Sequence, residues 1–219
     1  MPAGTMTMVY KAKKGKRSIR SSKTSKSIKK DVKMLKKALA AERGILDHQL
    51  NIGCSASWNN VLNMFQTEQG DNFNNRQGLN IIARTISIKG YIKRLDSSNR
   101  VRLVVVMFES ADDNSIANVM QYSGSSATHL NQALYSPYKV DGDCKYTILA
   151  DKEYSCDANH QFAKVDFSIR IPTKKNIMKY TSTGSALPRT NQICLLAVSD
   201  SQVIDHPLLQ CNVRQRFTK

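Results

Sequence analysis

Fourteen cations crowd one short stretch of the chain: Lys11, Lys13, Lys14, Lys16, Arg17, Arg20, Lys23, Lys26, Lys29, Lys30, Lys33, Lys36, Lys37 and Arg43. Asp31 and Glu42 are the only carboxylates among them, so residues 11–43 carry +12 of a formal net charge of +16. Side chains of this type at this density neutralise phosphates and release their counterions, which takes charge density rather than a shaped pocket. Fourteen cations also exceed what solubility requires. The segment therefore reads as a binder of nucleic acid. Lys11–Arg17 alone satisfies a nuclear import signal read by import machinery, a role compatible with the first. After Arg43 the chain holds nineteen cations against fifteen carboxylates, a nearly balanced body.

Other candidate chemistry is sparse. Arg102, Arg214 and Arg216 fall on polar or mixed faces of expected strands and are candidate contacts for the same polyanion. No HExxH, GxSxG or P-loop pattern occurs, and no nucleophile–base–orienter set is visible, so no catalytic residue is assigned. Asp143-Cys144-Lys145 has the spacing of some metal-dependent nucleases, but Asp is an ordinary turn residue at a strand start. Cys156 and His160 lack a second ligand pair, and Asp141, Asp143 and Asp151 read as solvated carboxylates rather than a calcium site. No metal or cofactor is expected. Trp58 could stack on a base, but it ends an alternating apolar face and reads as core. The five cysteines are odd in number and scattered, which fits buried free thiols better than a disulfide framework. No run of eighteen apolar residues and no signal-peptide pattern occurs, so neither a membrane span nor secretion is expected.

The elements that must carry these residues divide at about residue 44. Residues 1–26 are too poor in apolar side chains to offset their ordering entropy and read as disordered when free. From Ser27 the residues Ile28, Val32, Leu35 and Leu39 recur at helical spacing among lysines. With Ser27 as N-cap and Gly44 as stop, the spacing predicts a basic amphipathic helix over about 27–43. Its apolar stripe is one residue wide and wants a partner, either the body or other copies of itself. Residues 1–44 are thus a basic arm and 45–219 a separate domain.

In that domain the apolar period drops to two. Strands are expected at 48–58, 82–93, 100–108, 144–151, 162–171, 176–181, 191–199 and 209–217. Residues 100–108 (RVRLVVVMF) are apolar on both faces, as in a strand covered on both sides. A long connection over 110–143 includes expected short helices near 115–121 and 129–135. Eight strands without βαβ alternation predict an all-β fold, two antiparallel sheets packed as a sandwich or jelly roll.

Several of these pieces occur together in a known group. Gln69-Gly70, Asn75-Arg76-Gln77-Gly78 and Ile81–Ile92 (IIARTISIKGYI), followed by Val101–Phe108, Tyr146–Asp151, Asn191–Asp200 and Arg214–Phe217, resemble in order and spacing the coat proteins of small circular single-stranded DNA viruses. These are relatives of the circovirus group, whose shell domain is similar to that of satellite tobacco necrosis virus. The resemblance covers roughly 45–219, with the basic arm in the matching place. It implies a single eight-stranded jelly-roll capsid subunit of an icosahedral virion, a homo-oligomer of 60 copies in the minimal form, with the arm inside on single-stranded DNA, and assembly in the host nucleus after entry through the host import machinery. DNA rather than RNA rests on the resemblance alone. Subunit contacts are then expected in the loops 59–80, 110–143 and 180–190. The alternative is a nucleic-acid-binding β-sandwich that forms no shell, such as a nuclear shuttle or movement protein.

Overall fold

A computed structural model describes residues 27–32, 34, 43–124, 132–140, 145–202 and 206–219. Residues 27–32 and 34 are helical, as the spacing from Ser27 predicts, and both Ile28 and Val32 are exposed on that segment. The rest of the expected helix, including Leu35 and Leu39, lies outside the described residues. Its expected end does not hold. Arg43 opens a strand, β1 (Arg43–Gly53), and Gly44 pairs with Phe217 inside it. A Cβ at Gly44 would lie 2.1 Å from the Phe217 ring, so the glycine serves a close approach rather than a helix stop. The domain therefore begins two residues before the expected boundary, and the division into 1–41 and 42–219 is seen in the packing as well.

The described residues hold nine strands where eight are expected: after β1 come β2 (Asn59–Asn63), β3 (Asn80–Lys93), β4 (Asn99–Ser110), β5 (Tyr146–Cys156), β6 (Phe162–Arg170), β7 (Ile177–Lys179), β8 (Thr190–Ser199) and β9 (Leu208–Thr218). The extra one is β2, a short strand that pairs with β8 across a bulge and leaves too little alternation to be read. All pairings between these strands are antiparallel. One run is β1-β9-β3-β6 and the other β2-β8-β4-β5, and β7 bridges β3 to β8 to make a single connected sheet. With β7 set aside, the first strand pairs with the last, the second with the seventh, the third with the sixth and the fourth with the fifth.

The two runs close over one core. Ile86, Ile88 and Ile92 of β3 and Leu209 and Val213 of β9 meet Leu103, Val105 and Met107 of β4 and Leu195 of β8. Each such side chain removed from water contributes about 1.5–3 kcal/mol before chain entropy is counted. The inward set of β3 changes phase at Arg84, where a bulge shifts the register with β9, so that Ile81 and Ala83 point inward before it and Ile86 and Ile88 after. Beyond the bulge the strand alternates as its sequence predicts.

The doubly apolar β4 is covered on both sides as expected. Its second face, Val104, Val106 and Phe108, packs with Trp58, Cys194, Leu196 and Val198 under Val119, Met120, Ala133 and Leu134. The long connection thus folds back as a lid over the sheet, through a 3-10 turn (Ala111–Asp113) and a short helix (Ile116–Val119). The second helix expected there is a turn at 132–135, with 129–131 outside the described residues. Trp58 is core, its indole N–H donating to the Ala133 carbonyl at 2.8 Å.

Candidate nucleic-acid interface

Of the fourteen arm cations, Lys29, Lys30 and Arg43 lie among the described residues, the first two exposed on the helical segment and the third exposed at the start of β1. Lys11, Lys13, Lys14, Lys16, Arg17, Arg20, Lys23, Lys26, Lys33, Lys36 and Lys37 lie outside them.

The body carries a second concentration of charge that sequence order conceals. In β1, β9, β3 and β6 every second side chain points away from the core, and the registers place these residues in rows across the four strands. One row reads Ile45, Arg216, Thr85, Arg170; the next Asp47, Arg214, Ser87, Ser168; the next Gln49, Asn212, Lys89, Asp166. The fourth reads Asn51, Gln210, Tyr91, Lys164, and the last brings Lys93 beside Phe162. Arg43 extends β1 beyond the first row, and Arg84, freed from the ladder by the bulge, reaches the same edge, where its Nε donates to Thr218 Oγ1 at 3.0 Å.

Eight cations face outward here against two carboxylates, a net +6, while the whole body from Arg43 onward holds twenty cations and fifteen carboxylates, +5. The balanced composition expected of the body hides a strong asymmetry. One face is cationic and the remainder nets −1. Arg214 is tied to Asp47 by two hydrogen bonds of 2.8 Å, which hold the Asp47 carboxyl below the usual carboxylate range and raise the Arg214 guanidinium. Lys164 pairs with Asp166 at 3.2 Å. Among the described residues no carboxylate lies within ion-pair distance of Lys89, Lys93, Arg170 or Arg216. A shallow depression of about 490 Å³ lies in the middle of the face, lined by Asp47, Gln49, Ser87, Lys89, Asn212, Arg214 and Arg216.

Of the three body arginines singled out in the sequence, Arg214 and Arg216 are on this face. Arg102 is not available as an open contact. Its guanidinium grips Asp151 and also donates to the carbonyls of Leu134 and Ser136 at 3.0 and 2.9 Å, between the rings of Trp58 and Tyr138. It holds the lid down. Lys89, Lys93, Lys164 and Arg170 were missed as site residues. They stand in the sequence on the wet sides of their strands, and only the pairing of β3 with β6 and β9 brings them together.

Among the described residues the remaining sequence candidates assemble no second site. Cys54, Cys156, Cys194 and Cys211 are free and buried, and burial pushes the Cys54 and Cys194 thiols up to about 12 and Cys211 to about 11. Among the described residues no group of three His, Cys, Asp or Glu could hold a metal, and Asp141, Asp143 and Cys144 lie outside them. No helix among the described residues is long and apolar enough to cross a membrane. No protein-family model and no curated protein matches the chain.

Proposed function

We propose that this chain is a viral capsid protein that self-assembles into an icosahedral shell and packages single-stranded DNA through its basic N-terminal arm, without enzymatic activity. The observation that carries the reading is the segregation of charge: +12 of +16 sits in residues 11–43, joined to an antiparallel β body whose own charges nearly balance. The strand pairing supports a jelly roll, since first-with-last, second-with-seventh, third-with-sixth and fourth-with-fifth is the order an eight-stranded hairpin gives when it is rolled up. Exposed apolar side chains at Phe73, Val140 and Ile177 supply contact surface on the loops and the short β7 for neighbouring copies. About 60 copies of the arm would bring roughly 700 positive charges, enough to neutralise much of a kilobase-scale strand. The reading places the protein in the virion and, during assembly, in the host nucleus, with Lys11–Arg17 as import signal.

The cationic body face favours one alternative, a nucleic-acid-binding sandwich that acts without forming a shell. Electron microscopy of the purified protein separates the two. Uniform closed particles that contain nucleic acid are expected, with much less cargo per particle after removal of residues 1–41. Persistently monomeric or dimeric protein would favour the alternative, and equal cargo in truncated and intact particles would refute the role of the arm.

A further inference from the structure

We infer that the outward face of β1, β9, β3 and β6 is a second binding platform for single-stranded nucleic acid, on which Lys89, Arg170 and Arg216 take phosphates and Tyr91 and Phe162 take bases. This rests on the nucleic-acid-binding part of the proposed function but assigns the contact to the folded body rather than to the arm.

Charge is the first argument. The face nets +6, and among the described residues three of its cations, Lys89, Arg170 and Arg216, have no carboxylate within ion-pair distance. Outward residues repeat about every 6.6–6.8 Å along a strand, and neighbouring strands are about 4.8 Å apart. Cations on this grid offer an extended strand several registers in which successive phosphates meet positive charge.

The aromatic pair is the second, independent argument. Tyr91 and Phe162 stand edge to face with centroids 5.4 Å apart at 87°, and they are 41% and 54% exposed. The pair stands at one end of the charged face, and rings left this open keep apolar surface available for stacking. Tyr91 is also held in place: its hydroxyl donates to Gln210 Oε1, and the Gln210 amide donates to Asn51 Oδ1 at 3.0 Å. A ring fixed before binding costs little to order, which is what a stacking platform requires. Between the cations and the rings lie the amides of Gln49, Asn51 and Asn212, whose donors and acceptors suit base edges.

The same features weigh against other occupants. A second copy of this chain would have to present a matching acidic surface, yet the body outside this face nets only −1. An anionic membrane would use the cations but would leave the central amides desolvated and without partners.

The test uses the full-length protein and a labelled oligothymidylate, with affinity measured across a salt series. A Lys89→Gln/Arg170→Gln/Arg216→Gln variant should lower the slope of log affinity against log salt by about 2, since each lost phosphate contact on a single strand removes about 0.7. A Lys145→Gln/Lys174→Gln/Arg189→Gln variant removes the same charge elsewhere and should leave the slope nearly unchanged. In parallel, an oligonucleotide carrying 5-iodouracil is irradiated on the unmodified protein, and adducts are expected on Tyr91 or Phe162. Equal slopes for the two variants, or adducts confined to other residues, overturn the platform while leaving arm-mediated binding intact. Failure of the unmodified protein to hold the oligonucleotide at all overturns both the platform and the packaging reading. Protection of the face only in self-associated protein, with no adducts, would assign it to a second copy instead.

Discussion

Arg102 and Asp151 meet through two parallel hydrogen bonds, Nε to Oδ1 at 3.0 Å and Nη2 to Oδ2 at 2.7 Å, across the neighbouring strands β4 and β5. Tyr138 donates to the same carboxylate, so one acid ties a sheet to the lid that covers it. Burial alone would raise the Asp151 carboxyl, but the hydrogen bonds from Arg102 and Tyr138 outweigh it and hold the group below its ordinary value.

A carboxyl depressed in the folded state contributes stability that is complete above its unfolded value, about 3.9, and is lost as pH falls through that value toward the folded one. Asp47 and Glu109 are depressed by Arg214 and Lys175 and act in the same direction, though both are exposed and contribute less. The body should therefore melt at steadily lower temperature as pH drops from about 5 to 3. Asp151→Asn should cost about 1–3 kcal/mol at pH 7, a buried-pair loss discounted for its partial exposure, and should flatten that pH dependence. Melts of both proteins across the range decide it. Parallel curves would show that Asp151 is not the group being titrated.

Arg76 makes a second prediction because it is an arginine with no exposed surface. Its guanidinium donates to the carbonyls of Gly78, Ser182, Thr183 and Ser185 and lies 4.3 Å from the centre of the Tyr180 ring. It pins the loop after β2 to the loop before β8. Arg76→Met keeps the bulk but leaves several carbonyls unpaired, and should destabilise by about 3 kcal/mol or more. Arg76→Lys should not rescue, since a single ammonium cannot reproduce the planar fork. Hydrogen exchange should rise first in residues 66–79 and 181–185. Full stability of the lysine variant would count against the fork geometry.

How much of this was legible beforehand follows from which physical signal each element leaves. β3, β4, β6, β8 and β9 announce themselves because alternation, or its absence in β4 and most of β8, is a local property of ten residues. Gly44 was misread because a glycine after a helical pattern looks the same whether it ends a helix or makes room for a ring, and the Phe217 ring lies far away in sequence. Arg76 is visible as part of a short motif, but its burial depends on carbonyls about a hundred residues downstream. The cationic face was hidden for the same reason. Lys89, Arg170 and Arg216 are unremarkable one by one, and pairing between β3, β6 and β9 is non-local.

The thiols give a prediction of reactivity. Cys54, Cys156, Cys194 and Cys211 are all buried, with thiols raised by desolvation, so almost no thiolate is present at neutral pH. These four should resist alkylation in the native protein and react together on denaturation. Mass spectrometry of peptides after a brief native treatment with iodoacetamide checks this. Early labelling of any one of the four would show that its strand opens locally.

The last prediction concerns where the arm ends. β1 lies at the edge of its run, and all eleven of its residues pair with β9 from Arg43–Thr218 to Gly53–Leu208. Removing residues 1–42 should leave that ladder whole, and the melting temperature should change little. Removing residues 1–48 should strip Leu46 from the core and leave the Arg43–His48 half of the ladder without its partner, exposing β9 along Val213–Thr218. An exposed strand of that length is a template for pairing with other chains, so the shorter protein should melt lower and aggregate on concentration. Static light scattering and thermal melts of the two truncations distinguish the outcomes. Identical behaviour would mean that the first half of β1 belongs functionally to the arm, and that the boundary set by its pairing with β9 is not the one that governs stability.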